Sequence, residues 1–482
     1  MTYRELLAGN ADFRRLWTGQ VVSEVGDWLN NIAVLALVIQ LAGASSVGLA
    51  VATYAIARHL PLFLFGPVAG VVVDRTSRRR VMIAADVARA ALALGFLLAN
   101  RYGSLALIYV VGASLFSVSA FFNAAKRASI PNLVGPTDEL LAANSLSAST
   151  TAATIAVGSA LGGVVATAVG RDTVFVLNAL TFLASAEMIR RIRKAVGSRQ
   201  MAVGSLPEAA AADVQGRGVG RTSLAPPALD VGSATLKSDG RKRREGLFRT
   251  AYCLLPTAYS VLRRVAADFR EGLRYVRRDR VLAAVFVVAA GWGLGNGAAR
   301  ALYSIFGAGL GERAAAGWGA SLSALAERPT DFGISVLFVA MGLGGVLGAP
   351  LARRFNSGAA EGLGARMGRS LVLDGCGLLV FSLTPSLFGA AAVLVAREMN
   401  FAIWWTAQQT LVMRRTEDAF AGRVFASYET LTTLMMVGSM LVSGAASDRV
   451  GIRAVAACAG GVVMLSGLSW FVLRRRAAVA KE

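Results

Sequence analysis

The sequence is poor in the residues that build metal sites and disulfide frameworks. It contains three cysteines, Cys253, Cys376 and Cys458, which lie far apart, and a single histidine, His59. This spacing indicates neither a disulfide framework nor a zinc site. A Gly-rich loop followed by Lys and Ser or Thr is also missing, so ATP-driven pumping is not supported and no cofactor is expected.

Charged residues are scarce as well. Only 16% of the 482 residues are charged, 55% are apolar, and the mean hydropathy is +0.55. A soluble domain is nearer a quarter charged, so the composition predicts an integral membrane protein rather than a soluble enzyme. A membrane-embedded enzyme is disfavoured too, because the sequence has neither a nucleophile elbow nor a metal-binding cluster.

Long apolar segments dominate what is present. A spanning helix needs about 20 mostly apolar residues, and twelve segments meet that requirement. They lie at roughly 13–41, 46–73, 81–99, 104–124, 142–169, 173–190, 281–307, 332–352, 370–385, 387–412, 424–447 and 454–473. The sequence therefore predicts an all-α membrane protein with twelve transmembrane helices in two six-helix bundles. The predicted domains are an N-terminal bundle at 1–190, a disordered cytoplasmic linker at 191–263, an amphipathic surface helix at 264–280 and a C-terminal bundle at 281–482.

The excess of positive charge has two possible explanations. A net charge of +21 and a pI near 11.0 are found in nucleic-acid binders. With both termini placed in the cytoplasm, however, most of the 50 Lys and Arg residues fall on the cytoplasmic side, as the positive-inside rule requires. We therefore expect a multi-pass protein of the cell membrane with no nucleic-acid partner.

The polar stretch between the halves carries much of that charge. Its middle, Val196 to Leu247, is rich in Gly, Ala, Ser and Pro and lacks apolar periodicity, as is typical of a disordered linker. The basic run from Arg241 to Arg244 either contacts anionic lipid or is a solvated cluster. After it, apolar residues recur at helical spacing, which predicts the surface helix: Val265, Phe269, Leu273 and Val276.

The two halves show weak internal similarity. Val157 to Leu161 resembles Val437 to Leu441, and Asp86 occupies a place after Arg80 like that of Asp374 after Arg369. Two six-helix repeats joined by a linker are a common plan in secondary transporters.

The loop after the second apolar segment reads Gly-Val-Val-Val-Asp-Arg-Thr-Ser-Arg-Arg from Gly70 to Arg79. It resembles the GxxxDRxGRR signature of the major facilitator superfamily, with Ser77 in place of the second glycine. Phe65 to Gly70 and Arg423 to Phe425 resemble the branch of macrolide-efflux and siderophore-export proteins. The resemblance implies a conformational latch, for which the alternative is a topogenic charge cluster: Gly70, Asp74, Arg75, Arg78 and Arg79. Gly70 would permit close helix approach.

A small-residue motif follows in the fifth segment. Gly158, Gly162 and Gly163 resemble the GPxxGG antiporter motif of exporters, with Ser159 where the family has proline. The alternative is that these glycines simply let two membrane helices pack closely.

Ionisable residues within the apolar segments are candidates for function, because each is costly to insert. Glu24, Asp27 and Asn31 form a polar stripe on the first segment. Asp27 is our candidate for proton or cation coupling, unless it is a structural buried acid. Arg58 is the expected partner of Asp27 or Glu24, and His59 beside it either titrates or is only hydrogen-bonded.

The tenth segment offers a mixed aromatic and polar face. Arg397, Phe401, Trp404 and Gln408 share it, which favours a cavity for a large amphipathic ligand over an interfacial tryptophan belt. Further cavity candidates are Asn296, Arg300 and Glu429, whereas Asp86 with Arg89 is interpreted as a local ion pair.

These features together predict a monomeric secondary transporter whose partners are a small-molecule substrate, protons and membrane lipid. The leading hypothesis is proton-coupled export of drug-, macrolide- or siderophore-type molecules by alternating access, as in multidrug antiporters. An importer of a small metabolite and a non-transporting membrane sensor or scaffold are the alternatives.

Overall fold

The computed structural model of the chain describes residues 2–135, 138–193, 263, 266–317, 327–356 and 362–479. These residues form helices and connecting turns, without strands, so the predicted all-α class is confirmed. The helices are α1 (Tyr3–Gly9), α2 (Ala11–Leu41), α3 (Val47–Arg75), α4 (Arg78–Tyr102), α5 (Leu105–Leu133), α6 (Asp138–Ala168), α7 (Arg171–Arg190), α8 (266–276), α9 (Arg280–Ala316), α10 (Pro329–Asn356), α11 (Leu363–Leu383), α12 (Leu387–Arg415), α13 (Asp418–Val450) and α14 (Ile452–Val479).

Eleven of these helices are long and apolar enough to cross a membrane, namely α2 to α7, α9, α10 and α12 to α14. Helix α11 carries Arg366, Arg369 and Asp374 and is therefore less apolar, but its 21 residues span about 30 Å at 1.5 Å per residue. With α11 the predicted count of twelve fits. The sequence placed the start of this segment near residue 370, seven residues late, because the two arginines lower its apparent hydropathy.

Short polar residues determine where several helices begin. Asn10 and Ser104 accept hydrogen bonds from the backbone N–H groups of Phe13 and Leu107, at 2.9 and 3.3 Å. The Asp279 carboxylate accepts two such bonds at the start of α9. These side chains satisfy N–H groups that have no partner inside the helix.

The two halves repeat one packing arrangement. Helix α2 packs against α6 and α7, just as α9 packs against α13 and α14. The pairs of α5 with α3 and α4 recur as α12 with α10 and α11, and the α4–α7 pair recurs as α11–α14. The weak internal similarity of the sequence therefore has a counterpart in the packing.

The halves meet along two helix pairs, α6 with α10 and α3 with α13. In the first pair, the Ser335 hydroxyl donates a hydrogen bond of 2.6 Å to the carbonyl of Ser159. In the second, a Cβ atom at Gly444 would lie 2.6 Å from the carbonyl oxygen of Gly48. The backbones therefore approach closely near the end of the bundle where α3 and α10 begin.

Most of the predicted linker, including the run from Arg241 to Arg244, lies outside the described residues. Helix α8 lies within the predicted surface helix and contacts α13. Arg423 donates to Glu271 at 2.7 Å, and Ser427 donates to the Phe269 carbonyl at 3.2 Å. Val276 is buried in the core of the C-terminal half. Protein therefore covers part of the apolar face that the sequence assigned to the membrane surface.

Candidate functional site

A central cavity of about 330 Å³ lies between the two halves. Helices α2 to α6 line it from one side, and α9, α10 and α13 line it from the other. Its charged and polar lining comprises Ser23, Glu24, Asp27, Asn31, Arg58, His59, Arg89, Ser119, Asn123, Lys126, Thr151 and Arg300. Its aromatic lining comprises Trp28, Tyr54, Phe116, Phe122, Tyr303 and Phe338. Such a mixture of apolar walls and convergent polar groups is typical of a ligand site.

Glu24 lies in a cluster of hydrogen-bond donors on the cavity wall. Lys126 Nζ is 3.3 Å from its Oε1 atom, and Gln20 donates to the same oxygen at 2.9 Å. The hydroxyls of Thr151 and Thr154 donate to Oε2 at 3.3 and 3.2 Å. Both oxygens of the Glu24 carboxylate therefore have hydrogen-bonding or ionic partners within the protein.

Asp27 has a looser partner. Its Oδ2 atom is 3.9 Å from Nη1 of Arg89, whose other terminal nitrogen contacts the fully buried Asp86. The Arg89 guanidinium also lies 4.1 Å from the ring of Phe122. From the sequence, Asp86 and Arg89 were a local pair near the membrane boundary, but Arg89 lines the cavity. Its position in the middle of the apolar segment at 81–99 was the signal for this role.

Arg58 lines the cavity as expected, with a different partner. It donates to the side-chain oxygen of Asn31, one helical turn after Asp27, and not to Asp27 or Glu24. Its guanidinium carbon lies 4.8 Å from the Trp28 ring and 4.9 Å from the Phe116 ring, which is cation–π geometry. The neighbouring His59 also lines the cavity, and its Nδ1 atom is 2.8 Å from the Ala55 carbonyl oxygen.

Arg300 is the predicted cavity residue that the C-terminal half contributes. Asn296, one turn earlier on α9, is buried and faces its own half, where its side-chain oxygen accepts a hydrogen bond of 3.2 Å from Arg397. Both residues were predicted as cavity candidates, and of the two Arg300 lines the cavity.

Arg397 is buried inside the C-terminal half and does not line the central cavity. Its Nε atom is 3.0 Å from Oδ1 of Asp374, and the side chains of both residues are 2% exposed. It also donates to the Tyr303 hydroxyl. In the sequence, Asp374 is recognisable only by its place in the repeat, although a buried arginine requires such a partner.

The aromatic face of α12 is a packing surface in this structure. Trp404 is buried with its ring centroid 4.7 Å from that of Trp292, Phe401 lies 5.7 Å from the same ring, and Gln408 is 1% exposed. Glu429 is exposed on α13. None of the four predicted residues lines the central cavity. Periodicity showed that this face of α12 is continuous, but not that α9 covers it.

Among the residues that the structure describes, the predicted latch contacts only its own half. Arg78 donates to the Ala128 carbonyl at 2.7 Å and Arg79 to the Arg190 carbonyl. Asp74 and Arg75 are exposed. A Cβ atom at Gly70 would meet no atom within 4 Å, so the close helix approach expected at Gly70 is not seen among the described residues.

The glycines of α6 lie at helix contacts. Cβ atoms at Gly158 and Gly162 would lie 2.6 and 2.8 Å from the carbonyl oxygens of Val25 and Leu29 on α2. Gly163 faces Ser335 on α10 instead. The motif therefore allows α6 to contact both α2 and the opposite half.

The end of the bundle where α3 and α10 begin is closed, and we define this closed end by Gly48, Arg171, Asp331 and Asp448. Arg171 and Asp331 form an ion pair of 2.7 Å across the halves. The Asp448 carboxylate accepts hydrogen bonds of 2.7 and 3.0 Å from the backbone N–H groups of Gly48 and Leu49. Ion pairing and helix capping therefore hold the halves together at this end.

Comparison with known proteins gives a family match, similar curated proteins and similar solved structures. Residues 8–215 match the MFS_3 family, described as transmembrane secretion effectors. The chain is 29% identical over 174 residues, 36% of its length, to the uncharacterized MFS-type transporter YfiS of Bacillus subtilis (strain 168), of which 40% is covered. It is 32% identical over 142 residues, 29% of its length, to the protein of the same organism named "Putative bacilysin exporter BacE", of which 34% is covered.

The alignment therefore spans less than half the length of these curated relatives. Among solved structures, a POT family transporter in complex with a thioalcohol-conjugated peptide is similar with a TM-score of 0.60 and 13% identity, and 96% of each chain is covered. This likeness concerns the fold. The resemblance to the major facilitator superfamily is thus confirmed over residues 8–215. The chain as a whole has the fold of the solved POT family transporter, its long apolar helices indicate a multi-pass membrane protein, and its relatives are named as transporters.

Proposed function

We propose that the chain is a secondary active transporter that exports amphipathic small molecules in exchange for protons. The observation that carries this proposal is the central cavity, which lies between two equivalent halves and has aromatic walls and convergent charges. Sites at the interface of structural repeats suit alternating access, because rocking of the halves exposes them to each side in turn.

Asp27 is the proposed proton carrier. Its side chain is 23% exposed within the cavity, and its cationic partner is at 3.9 Å, the longest of the ion pairs in the cavity. Arg89 is already paired with Asp86, so Asp27 can take up a proton without leaving that arginine unpaired. Glu24, by contrast, is held by Lys126 and three hydrogen-bond donors, so its carboxylate is tied to fixed partners of its own.

In this proposal the transporter is in the conformation that opens to the cytoplasm. The halves are joined at the closed end, and the latch residues at the other end are apart from the C-terminal half. With both termini in the cytoplasm, the closed end faces outward and the cavity is reached from the cytoplasm, where an exporter loads its substrate. Asp74 and Arg75, exposed here, would contact the C-terminal half when the cytoplasmic end closes. The family description and the name of BacE support export over import.

Transport in everted membrane vesicles tests the function. Vesicles from cells that express the chain should accumulate a radiolabelled macrolide, siderophore or dye when a proton gradient, acidic inside, is imposed. Accumulation should collapse when a protonophore is added. Accumulation that survives the protonophore contradicts proton coupling, and accumulation only in right-side-out vesicles identifies an importer.

A chain shortened between Val196 and Leu247 separates transport from a binding role of the linker. The bundle contacts described above do not involve this segment, so vesicles with the shortened chain should transport normally. Loss of all activity on this deletion contradicts the transporter proposal and favours a linker-borne sensor or scaffold.

A further inference from the structure

The central cavity holds more positive groups than its own acids neutralise. Its basic side chains are Arg58, Arg89, Lys126 and Arg300, and its acids are Glu24 and Asp27. Lys126 contacts Glu24, and Arg89 is paired with Asp86, which does not line the cavity, with Asp27 at 3.9 Å as its second acid. Arg58 and Arg300 have no carboxylate within 4 Å among the described residues. Two guanidinium groups thus line the cavity with no carboxylate at ion-pair distance in the described part of the chain.

These two arginines come from opposite halves and face one space. Arg58 is on α3 and Arg300 on α9, and both side chains line the same cavity, where their like charges oppose each other and Asp27 offsets part of the charge on Arg58. Repulsion between like charges is strong where water is largely excluded. An anion between them replaces this repulsion with two attractions, and the planar guanidinium fork matches a carboxylate geometrically.

Arg58 is already oriented for such a partner. A guanidinium has five N–H donors, and within the described residues the side chain of Arg58 donates a hydrogen bond to Asn31 alone. The flanking rings of Trp28 and Phe116 fix the plane of the group. Because Arg58 lines the cavity and its plane is already fixed, binding an anion there would cost little further side-chain entropy.

The other acids near Arg300 are directed elsewhere. Asp374 is paired with Arg397 inside the C-terminal half, and neither Asp374 nor Glu398 lines the cavity. The uncharged neighbours of the arginine pair are aromatic, with Trp28, Phe116 and Phe338 among the lining residues. The site thus combines two cationic forks with a flat apolar wall.

We propose that the transported molecule carries a carboxylate, held between Arg58 and Arg300, and an aromatic or other flat apolar part that packs on Trp28, Phe116 and Phe338. This inference rests on the proposed function, because binding in the cavity leads to transport only if the chain is a transporter. It assigns the charge and shape of the substrate, which transport activity alone does not define. Because the site joins α3 to α9, the bound anion also links the two halves.

Three matched probes test this proposal on the purified full-length chain in detergent: 3-(2-naphthyl)propionate, its carboxamide and the corresponding 3-(2-naphthyl)propylamine. Calorimetric titration measures the affinity of each. We expect the carboxylate to bind at least about tenfold more tightly than the carboxamide, because charge-assisted hydrogen bonds are roughly twice as strong as neutral ones. The amine should bind most weakly.

Variants assign the preference to the arginine pair. Arg58→Gln and Arg300→Gln should each reduce the preference for the carboxylate severalfold, whereas Arg300→Lys should keep part of it because the charge remains. Arg101→Gln, at an exposed arginine outside the cavity, should leave it unchanged. Gel filtration and thermal unfolding check that each variant is folded, and the preference of the unmodified chain decides the ligand class by itself.

Three results overturn the inference. They are equal affinity for carboxylate and carboxamide, absence of carboxylate binding, and a preference that survives both glutamine substitutions. The binding assay requires no transport, so its outcome is separable from the vesicle experiment. Proton-driven transport without a carboxylate preference refutes only the substrate class, and a carboxylate preference without transport refutes only the proposed function.

Discussion

Arg171 on α7 and Asp331 on α10 join the two halves through a bidentate ion pair. The Arg171 Nε and Nη2 atoms are 3.0 and 2.7 Å from the two carboxylate oxygens of Asp331. The Asp331 side chain is fully buried, and that of Arg171 is 13% exposed. Bidentate pairs fix geometry as well as charge, so this contact holds the closed end in one arrangement.

Substitution of Arg171 by glutamine should open the closed end. Loss of one partner of a buried pair costs about 3 kcal/mol, and 1.4 kcal/mol changes an equilibrium about tenfold, so the ratio of closed to open molecules should fall roughly a hundredfold. Double electron–electron resonance measures this change, with spin labels at positions 101 and 449 and the native cysteines replaced. The distance distribution should move to larger values.

The charge-reversed double variant, Arg171→Asp with Asp331→Arg, is the matched control. It restores the attraction between the halves and should recover much of the short-distance population. An unchanged distribution in Arg171→Gln contradicts the gating role of the pair.

The N-terminal cap that Asp448 supplies to α3 should stabilise the closed end less than the ion pair between Arg171 and Asp331 does. Ser46, the local N-cap residue, makes no side-chain cap bond, and the carboxylate from the opposite half takes its place. Loss of an N-cap costs about 1 kcal/mol, so Asp448→Ala should shift the same distance distribution less than Arg171→Gln does. The two effects should add, because the residues lie on separate helix pairs. A larger shift for Asp448→Ala than for Arg171→Gln contradicts this ranking.

Asp27→Asn should abolish the response to the proton gradient while leaving exchange of substrate across the membrane intact. Asparagine keeps the shape of the side chain but cannot exchange a proton at physiological pH. Counterflow in proteoliposomes measures exchange, and accumulation under an imposed gradient measures coupling. Glu187→Gln is the control, since Glu187 is an exposed acid paired with Arg190 and Arg191 at the end of α7. Unchanged gradient-driven accumulation in Asp27→Asn removes it as the carrier.

The pair of Arg397 and Asp374 should contribute to stability and not to ligand contact. Each of Arg397→Gln and Asp374→Asn leaves an uncompensated buried charge, which costs about 3–5 kcal/mol, and should lower the temperature of thermal unfolding in detergent. The double variant should lose less than the sum of the two single variants, because it removes both charges. Weakened ligand binding at an unchanged unfolding temperature indicates instead that Arg397 faces the ligand.

Gly162→Ala should destabilise the N-terminal half. The added Cβ atom would lie 2.8 Å from the Leu29 carbonyl oxygen and 2.9 Å from its Cα atom, so α6 must move away from α2, at a cost of about 1–3 kcal/mol. Gly461→Ala on α14 is the control, because its Cβ atom would meet nothing within 4 Å. Thermal unfolding of the two variants compares them. Equal unfolding temperatures contradict the assigned helix contact.

The N-terminal part of the site was largely predictable from the sequence. Glu24, Asp27 and Asn31 share one face of α2, and helical periodicity alone groups them. Arg58 was recognised from its depth in an apolar segment, but its partner was not, because Asp27 and Asn31 are one turn apart and a linear sequence does not distinguish them. In the C-terminal half, the sequence correctly grouped Arg397 and Trp404 on one face of α12. That face was predicted to line the cavity, but it is buried within the half.

The sequence by itself determined the membrane environment, the helices and their repeat, because apolar segments of spanning length and clustered charges are properties of the linear chain. Only the tertiary structure decided which polar groups face the cavity and which are buried as pairs. Arg300 and Arg397 are alike in sequence, each an arginine within an apolar helix. Asp374 on a neighbouring helix neutralises Arg397, while Arg300 is left facing Arg58 across the cavity. That difference depends on the packing of helices distant in sequence, which periodicity within one helix does not specify.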